Sequence, residues 1–266
     1  MTACISLTTD FTTGDVGIGE MLGVIYGIAG EDIRIADITH DVPPQNILDA
    51  AVILGRHTPY FPKDTVHIVV VDPGVGTHRR PIAARLGDQY FVGPDNGVFS
   101  LMYANAQKAD QEIKIVHTNN PVYWMDEVST IFHGRDIFSP VGAHLAAGVA
   151  LETLGEIIHD PVFMNIPAPI VEAKFIEGII NRVDHFGNLE SNIEAKLIAD
   201  WKNIEVIIGG VCIKGLVKTF GENKSGELVA MIDSSGVIGV SVVNGNASTT
   251  LNIWQGDSIK LYCKEA

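Results

Sequence analysis

The sequence predicts an α/β N-terminal domain built on a central, mostly parallel sheet, followed by a smaller all-β, barrel-like C-terminal domain. Three observations predict this fold class. The chain has 266 residues, of which 46% are hydrophobic and 19% charged, a composition typical of ordered globular proteins. Its first 150 residues alternate short β-branched runs with longer stretches at helical spacing. Its last hundred residues hold only short β-branched runs separated by glycine or asparagine.

In the first part, the predicted strands are residues 4–8, 33–38 and 66–71. The stretch 17–28 places its apolar residues on one helical face, and the stretch 44–57 begins with a proline, which a first helical turn accepts. These two stretches are the predicted crossover helices. The third strand is almost continuously apolar, as expected for a strand covered on both faces, so we expect the sheet to be parallel and central.

A proline-containing segment at residues 165–169 predicts an extended linker, because each proline removes a hydrogen-bond donor and restricts the residue before it. We therefore expect domains at residues 1–164 and 170–266. Six short β-branched runs after the linker predict the strands of a small barrel or sandwich. These runs lie at residues 175–183, 205–208, 211–217, 228–232, 237–243 and 259–262.

The charge balance disfavours partners with anionic surfaces. Thirty-two acidic residues against 18 basic ones give a formal net charge of −14, which repels nucleic acids and anionic membranes. Cys4, Cys212 and Cys263 are far apart and form no C-x-x-C pair. The start of the chain has no basic flank, and no stretch approaches the 18 or so apolar residues of a membrane span. We expect a soluble protein of the reducing cytoplasm that binds neither nucleic acid nor membrane.

The first candidate for chemistry is the glycine-rich turn that follows the third strand. It carries a carboxylate, Asp72, at the strand end and a guanidinium, Arg79, seven residues on. Arg79 stands where a G-x-G-x-x-G motif needs its third glycine, and no G-K-[ST] follows, so a dinucleotide loop or P-loop is disfavoured. Asp72 and Arg79 are expected to form a charge-assisted pair, which serves either catalysis or simply the structure of the turn.

Two further candidates lie at element boundaries. Asp10 follows the first strand, where an acidic side chain can accept the hydroxyls of a ribose, although Asp10 or Asp15 could equally cap the next helix. His133 precedes a glycine just before the helix-like run 137–147, so its ring can face a cleft and titrate near neutrality. A lone histidine is more often structural.

A metal site is the less favoured interpretation of the histidines. His40 and Asp41 could join Asp72 and His133 in a carboxylate-rich site. The sequence contains no H-E-x-x-H motif and no second close histidine pair, and we therefore predict no metal.

The C-terminal part contains three clusters of turn-forming residues, at positions 184–188, 233–236 and 243–247. Asp, Asn, Ser and Gly dominate turns for backbone reasons alone, which makes ordinary hairpins a sufficient explanation. The alternative is that Phe186, set among hydrogen-bonding groups, stacks on a purine.

Taken together, these segments resemble the S-adenosyl-L-methionine hydroxide adenosyltransferases, relatives of the fluorinase and chlorinase enzymes. The resemblance rests on six motifs that occur in the family's order. They are residues 9–11, 40–44, 70–77 with Arg79, 93–97, 132–136 and 184–188. It implies a two-domain chain that assembles as a homotrimer and holds S-adenosylmethionine between neighbouring subunits.

The resemblance also implies an enzyme that hydrolyses S-adenosylmethionine to adenosine and L-methionine without a cofactor, using a triad of Asp72, Arg79 and His133. The residues expected at the substrate are Asp10, Asp184, Phe186, Asn188, Ser234, Asn246 and Ala247. In this implied arrangement Asp10 accepts the ribose hydroxyls. Ser235 departs from the halogenases, which have an arginine at that position.

Displacement at the ribose 5′ carbon expels neutral methionine from a sulfonium cation, so exclusion of water favours attack by an anion. A water molecule must lose a proton as it attacks, and Asp72 or His133 can take that proton. Halide needs no base, and a carboxylate would repel it. Asp72 therefore disfavours the first alternative, a halogenase. The second alternative is a non-catalytic module that binds adenosine or S-adenosylmethionine.

Overall fold

The computed structural model describes residues 3–264, and the chain divides between Asn165 and Ile166 into two compact units. The first unit alternates strands and helices as the spacing of its apolar residues predicts. Its elements are β1 (Cys4–Thr9), α1 (Val16–Ala29), β2 (Arg34–Thr39), α2 (Ile47–His57), β3 (Val66–Val70), β4 (Pro81–Leu86), β5 (Gln89–Pro94), α3 (Ser100–Lys108), β6 (Ile113–His117), α4 (Ser139–Ala146) and β7 (Glu156–Ile158). A single π-helical turn, Gly134–Phe138, leads into α4.

The strands of the first unit form one mixed sheet in the order β2-β1-β3-β5-β4-β6-β7. Pairing is parallel from β2 to β5 and antiparallel from β5 to β7. The prediction of a mostly parallel sheet is therefore not confirmed. The reason is the tight turn between β4 and β5, where Gly87 has a φ of +63°, because a hairpin this short joins only antiparallel strands.

Both faces of this sheet are covered by helices, which explains why β3 is apolar throughout. Ile68 and Val70 pack with α1 and α4 on one face. Val69 and Val71 pack with α2 and α3 on the other. All five residues of β3 are buried, as expected for a central strand between two helical layers.

The helix starts correct one detail of the sequence prediction. Asp15 caps α1, since its Oδ1 accepts a hydrogen bond from the amide of Gly17 at 2.7 Å. Helix α2 begins at Ile47 and not at Pro44, because Gln45 has a φ of +64° that no right-handed helix accommodates. The side chain of Asn46 then caps α2. The segment before it is consequently a loop beside the end of β1.

The second unit is predominantly β. Its elements are β8 (Ile170–Glu172), β9 (Phe175–Val183), β10 (Leu189–Glu194), β11 (Ile204–Ile208), β12 (Val211–Lys214), β13 (Leu228–Ile232), β14 (Val237–Val242), α5 (Ala247–Leu251) and β15 (Ser258–Cys263). The strand order is β12-β11-β15-β9-β10-β14-β13, with β8 added to β9. A parallel bridge between Val217 and Met231 links the two ends of this order, so the sheet is nearly closed into a barrel.

None of the helices within residues 3–264 combines the length and the apolarity that crossing a membrane requires.

Candidate active site

A cavity of about 380 Å³ opens at the carboxyl ends of β1 and β3. Thr9 and Val70 are register partners at these two strand ends. The residues that follow them therefore meet at one edge of the sheet, where α/β proteins bind ligands. The lining includes Asp10, Phe11, Gln45, Asp72, Phe132 and His133.

Asp72 and Arg79 form the expected pair across the glycine-rich turn. Arg79 Nε donates to Asp72 Oδ1 at 3.0 Å, and Arg79 Nη2 donates to Asp72 Oδ2. The two side chains are only 3% and 6% exposed, so this bidentate contact is protected from solvent. Phe138 lies under the guanidinium, with its ring centroid 5.2 Å from Arg79 Cζ.

His133 completes a chain of three side chains. Arg79 Nη2 lies 3.0 Å from His133 Nδ1. A guanidinium only donates hydrogen bonds, so Nδ1 is the acceptor, and the proton of the neutral imidazole sits on Nε2. Burial, assisted by the positive charge of Arg79, lowers the pKa of His133 below its usual 6.5. The ring is therefore neutral at pH 7 and offers an N–H.

The position of His133 depends on two close backbone contacts. Gly134 packs on β3, where a Cβ would lie 3.1 Å from Val70 Cγ1. Gly76, in the turn between Asp72 and Arg79, has a φ of +74° and approaches the carbonyl oxygen of Thr130 so closely that a Cβ would lie 2.2 Å from it. Only glycine permits this approach, which brings the turn against the segment that leads to His133.

The far side of the Arg79 guanidinium is free. Arg79 Nη1 is buried and has no hydrogen-bond partner among residues 3–264. Buried N–H groups are rarely left unpaired.

Asp10 lies on the rim of the cavity, and its Oδ2 accepts a hydrogen bond from the amide of Gln45 at 2.7 Å. Phe11 and Phe132 pack edge to face, with ring centroids 5.9 Å apart. Gln45 and Phe132 also line the cavity, and neither was predicted from the sequence to do so. The proline pair before Gln45 signals a loop, but nothing in the sequence directs that loop toward Asp10.

The alternative metal site is not assembled. His40 is buried, with Nδ1 2.9 Å from Thr9 Oγ1 and Nε2 3.2 Å from Asp37 Oδ1, and Asp41 is exposed. In the part of the chain that the structure describes, no group of three or more His, Cys, Asp and Glu residues is placed to hold a metal ion.

In the second unit, the predicted substrate residues between β9 and β10 form one turn. Asp184 Oδ1 accepts the amides of Phe186 and Asn188, and Asp184 Oδ2 accepts Asn188 Nδ2 at 2.8 Å. Phe186, at the tip, is 71% exposed. Hydrogen bonding within the turn therefore fixes the backbone and leaves the aromatic ring to solvent.

The turn packs against the start of α5. Gly187 lies so close to Asn246 that a Cβ would clash with its side chain, and the carbonyl of Gly187 accepts the amide of Ser248 at 3.0 Å. Asn246 caps α5 through Thr249, and Ala247 is buried. Ser234 lies apart from this contact, in the exposed turn between β13 and β14.

Comparison with known proteins gives concordant results over both units. The model of the SAM hydroxide adenosyltransferase N-terminal domain matches residues 5–155, and that of the C-terminal domain matches residues 178–260. A protein of Salinispora tropica named (R)-S-adenosyl-L-methionine hydrolase is 36% identical, with 98% of each chain covered. A fluorinase of Actinopolyspora mzabensis is 21% identical over 97% of this chain and 96% of its own. A crystal structure of a conserved protein from Thermotoga maritima superposes with a TM-score of 0.89 at 35% identity, covering 98% of this chain and all of that one.

Proposed function

Because this chain belongs to the SAM hydroxide adenosyltransferase family, we propose that it hydrolyses S-adenosyl-L-methionine to adenosine and L-methionine. The observation that carries the proposal is the buried Asp72–Arg79–His133 chain beside the cavity. It supplies a proton acceptor and hydrogen-bond donors in one place. The relatives' name specifies the (R) epimer at sulfur, so both sulfonium epimers belong in the assay.

In the proposed reaction, a water oxygen attacks the ribose 5′ carbon, and the carbon–sulfur bond breaks with its electron pair passing to sulfur. The attacking water loses a proton, and Asp72 is the better acceptor for it. His133 already carries its proton on Nε2, whereas each carboxylate oxygen of Asp72 retains a lone pair after binding Arg79. A proton thus reaches Asp72 and later returns to solvent.

His133 and Arg79 act as donors in this scheme. The Nε2–H of His133 and the unpaired Nη1 of Arg79 are suited to holding the oxygen on which negative charge develops. Asp10 accepts the ribose hydroxyls, and the turn with Asp184, Phe186 and Asn188 receives the methionine and adenine parts. Ser234, Asn246 and Ala247 complete the proposed substrate set.

A halogenase is the enzymatic alternative. A halide would have to bind beside the carboxylate of Asp72, and the charge repulsion opposes it. One experiment separates these outcomes and also tests for a module that only binds. The protein is incubated with S-adenosylmethionine in ¹⁸O-labelled water containing chloride and fluoride, and the nucleoside is analysed by mass spectrometry.

Adenosine carrying one ¹⁸O at the 5′ position is the expected product. A 5′-halogenated nucleoside would assign the chain to the halogenases. Retention of intact substrate by a protein that demonstrably binds it would reduce the function to binding. No metal or other cofactor is proposed, and activity should survive exhaustive dialysis against a chelator. Loss of activity that a divalent cation restores would contradict this.

We propose a homotrimer in which the cavity of one subunit faces the second unit of its neighbour. The support is the family resemblance and the distribution of the substrate residues over both units. Mixing Asp72→Ala with Asn188→Ala chains after dissociation should then restore activity, since some interfaces combine two intact halves. Mixed trimers as inactive as their parents, with wild type surviving the same treatment, would place the whole site within one chain.

A further inference from the structure

The motif Gly93-Pro94-Asp95-Asn96-Gly97 lies at the end of β5, beside the segment that carries Asp72 and Arg79. That segment leaves the sheet after Val70 and returns to it at Pro81. None of the motif's residues lines the cavity within the described part of the chain. Its two polar side chains nevertheless reach both ends of the segment.

Asn96 holds the outgoing end. Its Nδ2 donates to the carbonyl of Val71, the residue before Asp72, at 3.0 Å. Its Oδ1 accepts the amide of Val98 at 3.2 Å, which fixes the orientation of the side-chain amide. The carbonyl of Val71 therefore cannot rotate without breaking this bond.

Asp95 holds the returning end. Its amide donates to the carbonyl of Arg80 at 2.9 Å, and its Oδ2 accepts Nε and Nη2 of Arg80 at 2.9 and 2.7 Å. The Asp95 side chain is 2% exposed, so moving this buried carboxylate away from Arg80 would cost free energy. Arg79 and Arg80 are consecutive and contact different carboxylates, Asp72 and Asp95 respectively. Anchoring Arg80 thereby sets the direction of Arg79.

We infer that Asn96 is a positioning residue for the triad, an inference that rests on the proposed function. With the returning end held by Asp95, the bond from Asn96 to Val71 determines where Asp72 stands relative to Arg79 and His133. Misplacement of a reacting group by about 1 Å can cost a hundredfold in rate. Asn96 has no contact with the cavity, so its effect falls on the chemical step more than on substrate binding.

The test is Asn96→Ala against a matched control, Asn120→Ala. Asn120 is also half-buried and makes the same two bonds, donating Nδ2 to the carbonyl of Thr153 at 2.9 Å and accepting the amide of Val122 at 3.3 Å. We expect Asn96→Ala to lower kcat at least about tenfold with KM changed less than about threefold. Asn120→Ala should retain kcat within about twofold.

A second variant, Asn96→Asp, keeps the bond to Val98 but turns an acceptor toward the carbonyl of Val71, so its kcat should fall at least as far. It also decides the test if Asn96→Ala does not fold. A readout independent of turnover is the NMR titration of His133, assigned with a His133→Gln sample. Because the Asp72 carboxylate raises the pKa of His133 while burial and the charge of Arg79 lower it, displacement of Asp72 in Asn96→Ala should lower that pKa further, and the control should leave it unchanged.

Wild-type kcat in the Asn96 variants, or an equal loss in Asn120→Ala, would overturn the inference. A wild-type protein that does not turn over S-adenosylmethionine would refute the proposed function instead. In that case an unchanged or raised His133 pKa in Asn96→Ala would refute the positioning role, and a lowered pKa would uphold it.

Discussion

The two units hold their candidate site residues in opposite ways. In the first unit, the side chains of Asp72 and Arg79 are 3% and 6% exposed and hold each other. In the second unit, the carboxylate of Asp184 binds two backbone amides and the Asn188 side chain of its own turn, and Phe186 at the tip is 71% exposed. One region fixes catalytic side chains against each other, and the other uses its polar side chains to fix a turn that leaves an aromatic ring exposed.

This difference indicates a division of labour. A reacting group must be held to within a fraction of an ångström, so burial and charge pairing suit the triad. A group that contacts a ligand by stacking can be solvent-exposed beforehand, because binding itself buries it. Substitutions in the first region should therefore lower kcat, and substitutions in the second should raise KM.

The largest effect is expected for Asp72→Asn, which keeps the shape of the side chain and removes its charge. Loss of a general base typically lowers the rate about a hundred- to ten-thousand-fold, and Asp72→Ala should lower it at least as much. Adenosine formation and the dissociation constant for S-adenosylmethionine are measured together. Near wild-type turnover in both variants would remove Asp72 from the mechanism, whereas loss of binding alone would break the proposed division of labour.

The next largest effect is expected at the close contact between Gly76 and the carbonyl of Thr130. This contact brings the turn between Asp72 and Arg79 against the segment that leads to His133. Gly76→Ala places a Cβ against the carbonyl of Thr130 and strains a φ of +74°, so we expect a loss of about 3 kcal/mol in unfolding free energy together with reduced kcat. Gly148→Ala is the matched control, because Gly148 has a φ of +95° with no atom within 4 Å. It should cost about 1 kcal/mol and leave kcat intact. Equal urea midpoints for the two variants would show that the close approach is unimportant.

Sequence reasoning predicted the parts of the first region that depend on local chemistry. The Asp72–Arg79 pair spans seven residues, and a strand-end carboxylate with a turn between them suffices to predict it. The contact of Arg79 with His133 joins positions 54 apart, and only the family resemblance associated them. The π-helical turn after His133 has no sequence signal comparable to a helix cap.

The missed features have physical reasons as well. The reversal at β4 was signalled by the Gly87-Asp88 pair, which is typical of tight hairpins, and was nevertheless absent from the predicted elements. In strand β10, buried residues alternate with more exposed ones. Four of its six residues are nevertheless polar, which dilutes the β-branched composition used to find strands; they are Glu190, Ser191, Asn192 and Glu194. In the second region, turn-forming residues favour a turn and a binding site equally, so the sequence alone left both open.

A pH-dependent effect of similar size is also expected in the first unit. His67 is fully buried in β3, with Nδ1 2.6 Å from Ser6 Oγ, and burial lowers its pKa from 6.5 to about 4. Above pH 6.5 the ring is neutral in both the folded and the unfolded chain. Between pH 6.5 and 4 only the unfolded chain takes up the proton, so stability falls by about 1.4 kcal/mol per pH unit, or about 3 kcal/mol in all.

Urea unfolding at several pH values between 7 and 4 measures this loss, and His67→Gln is the control. The variant should be less stable at pH 7 but show a shallower decline toward pH 4. The second unit contains one histidine, the exposed His185. Parallel declines in the two proteins would show that His67 is protonated without cost in the folded chain.

The smallest effect is expected at the tip of the exposed turn. Phe186→Ala removes a ring that packs little in the free protein, so the unfolding free energy should change by less than about 0.5 kcal/mol. If the ring stacks on the substrate, its removal costs about 1 kcal/mol of binding, which corresponds to roughly a fivefold rise in KM with kcat unchanged.

Phe220→Ala is the matched control, since Phe220 is another exposed phenylalanine of the second unit and lies outside the proposed substrate set. Michaelis–Menten constants and thermal unfolding of the two variants decide the matter. An exposed ring that serves binding alone should affect the ground state and not the chemical step. A fall in kcat for Phe186→Ala, or an unchanged KM, would therefore contradict the assignment of substrate binding to the second unit.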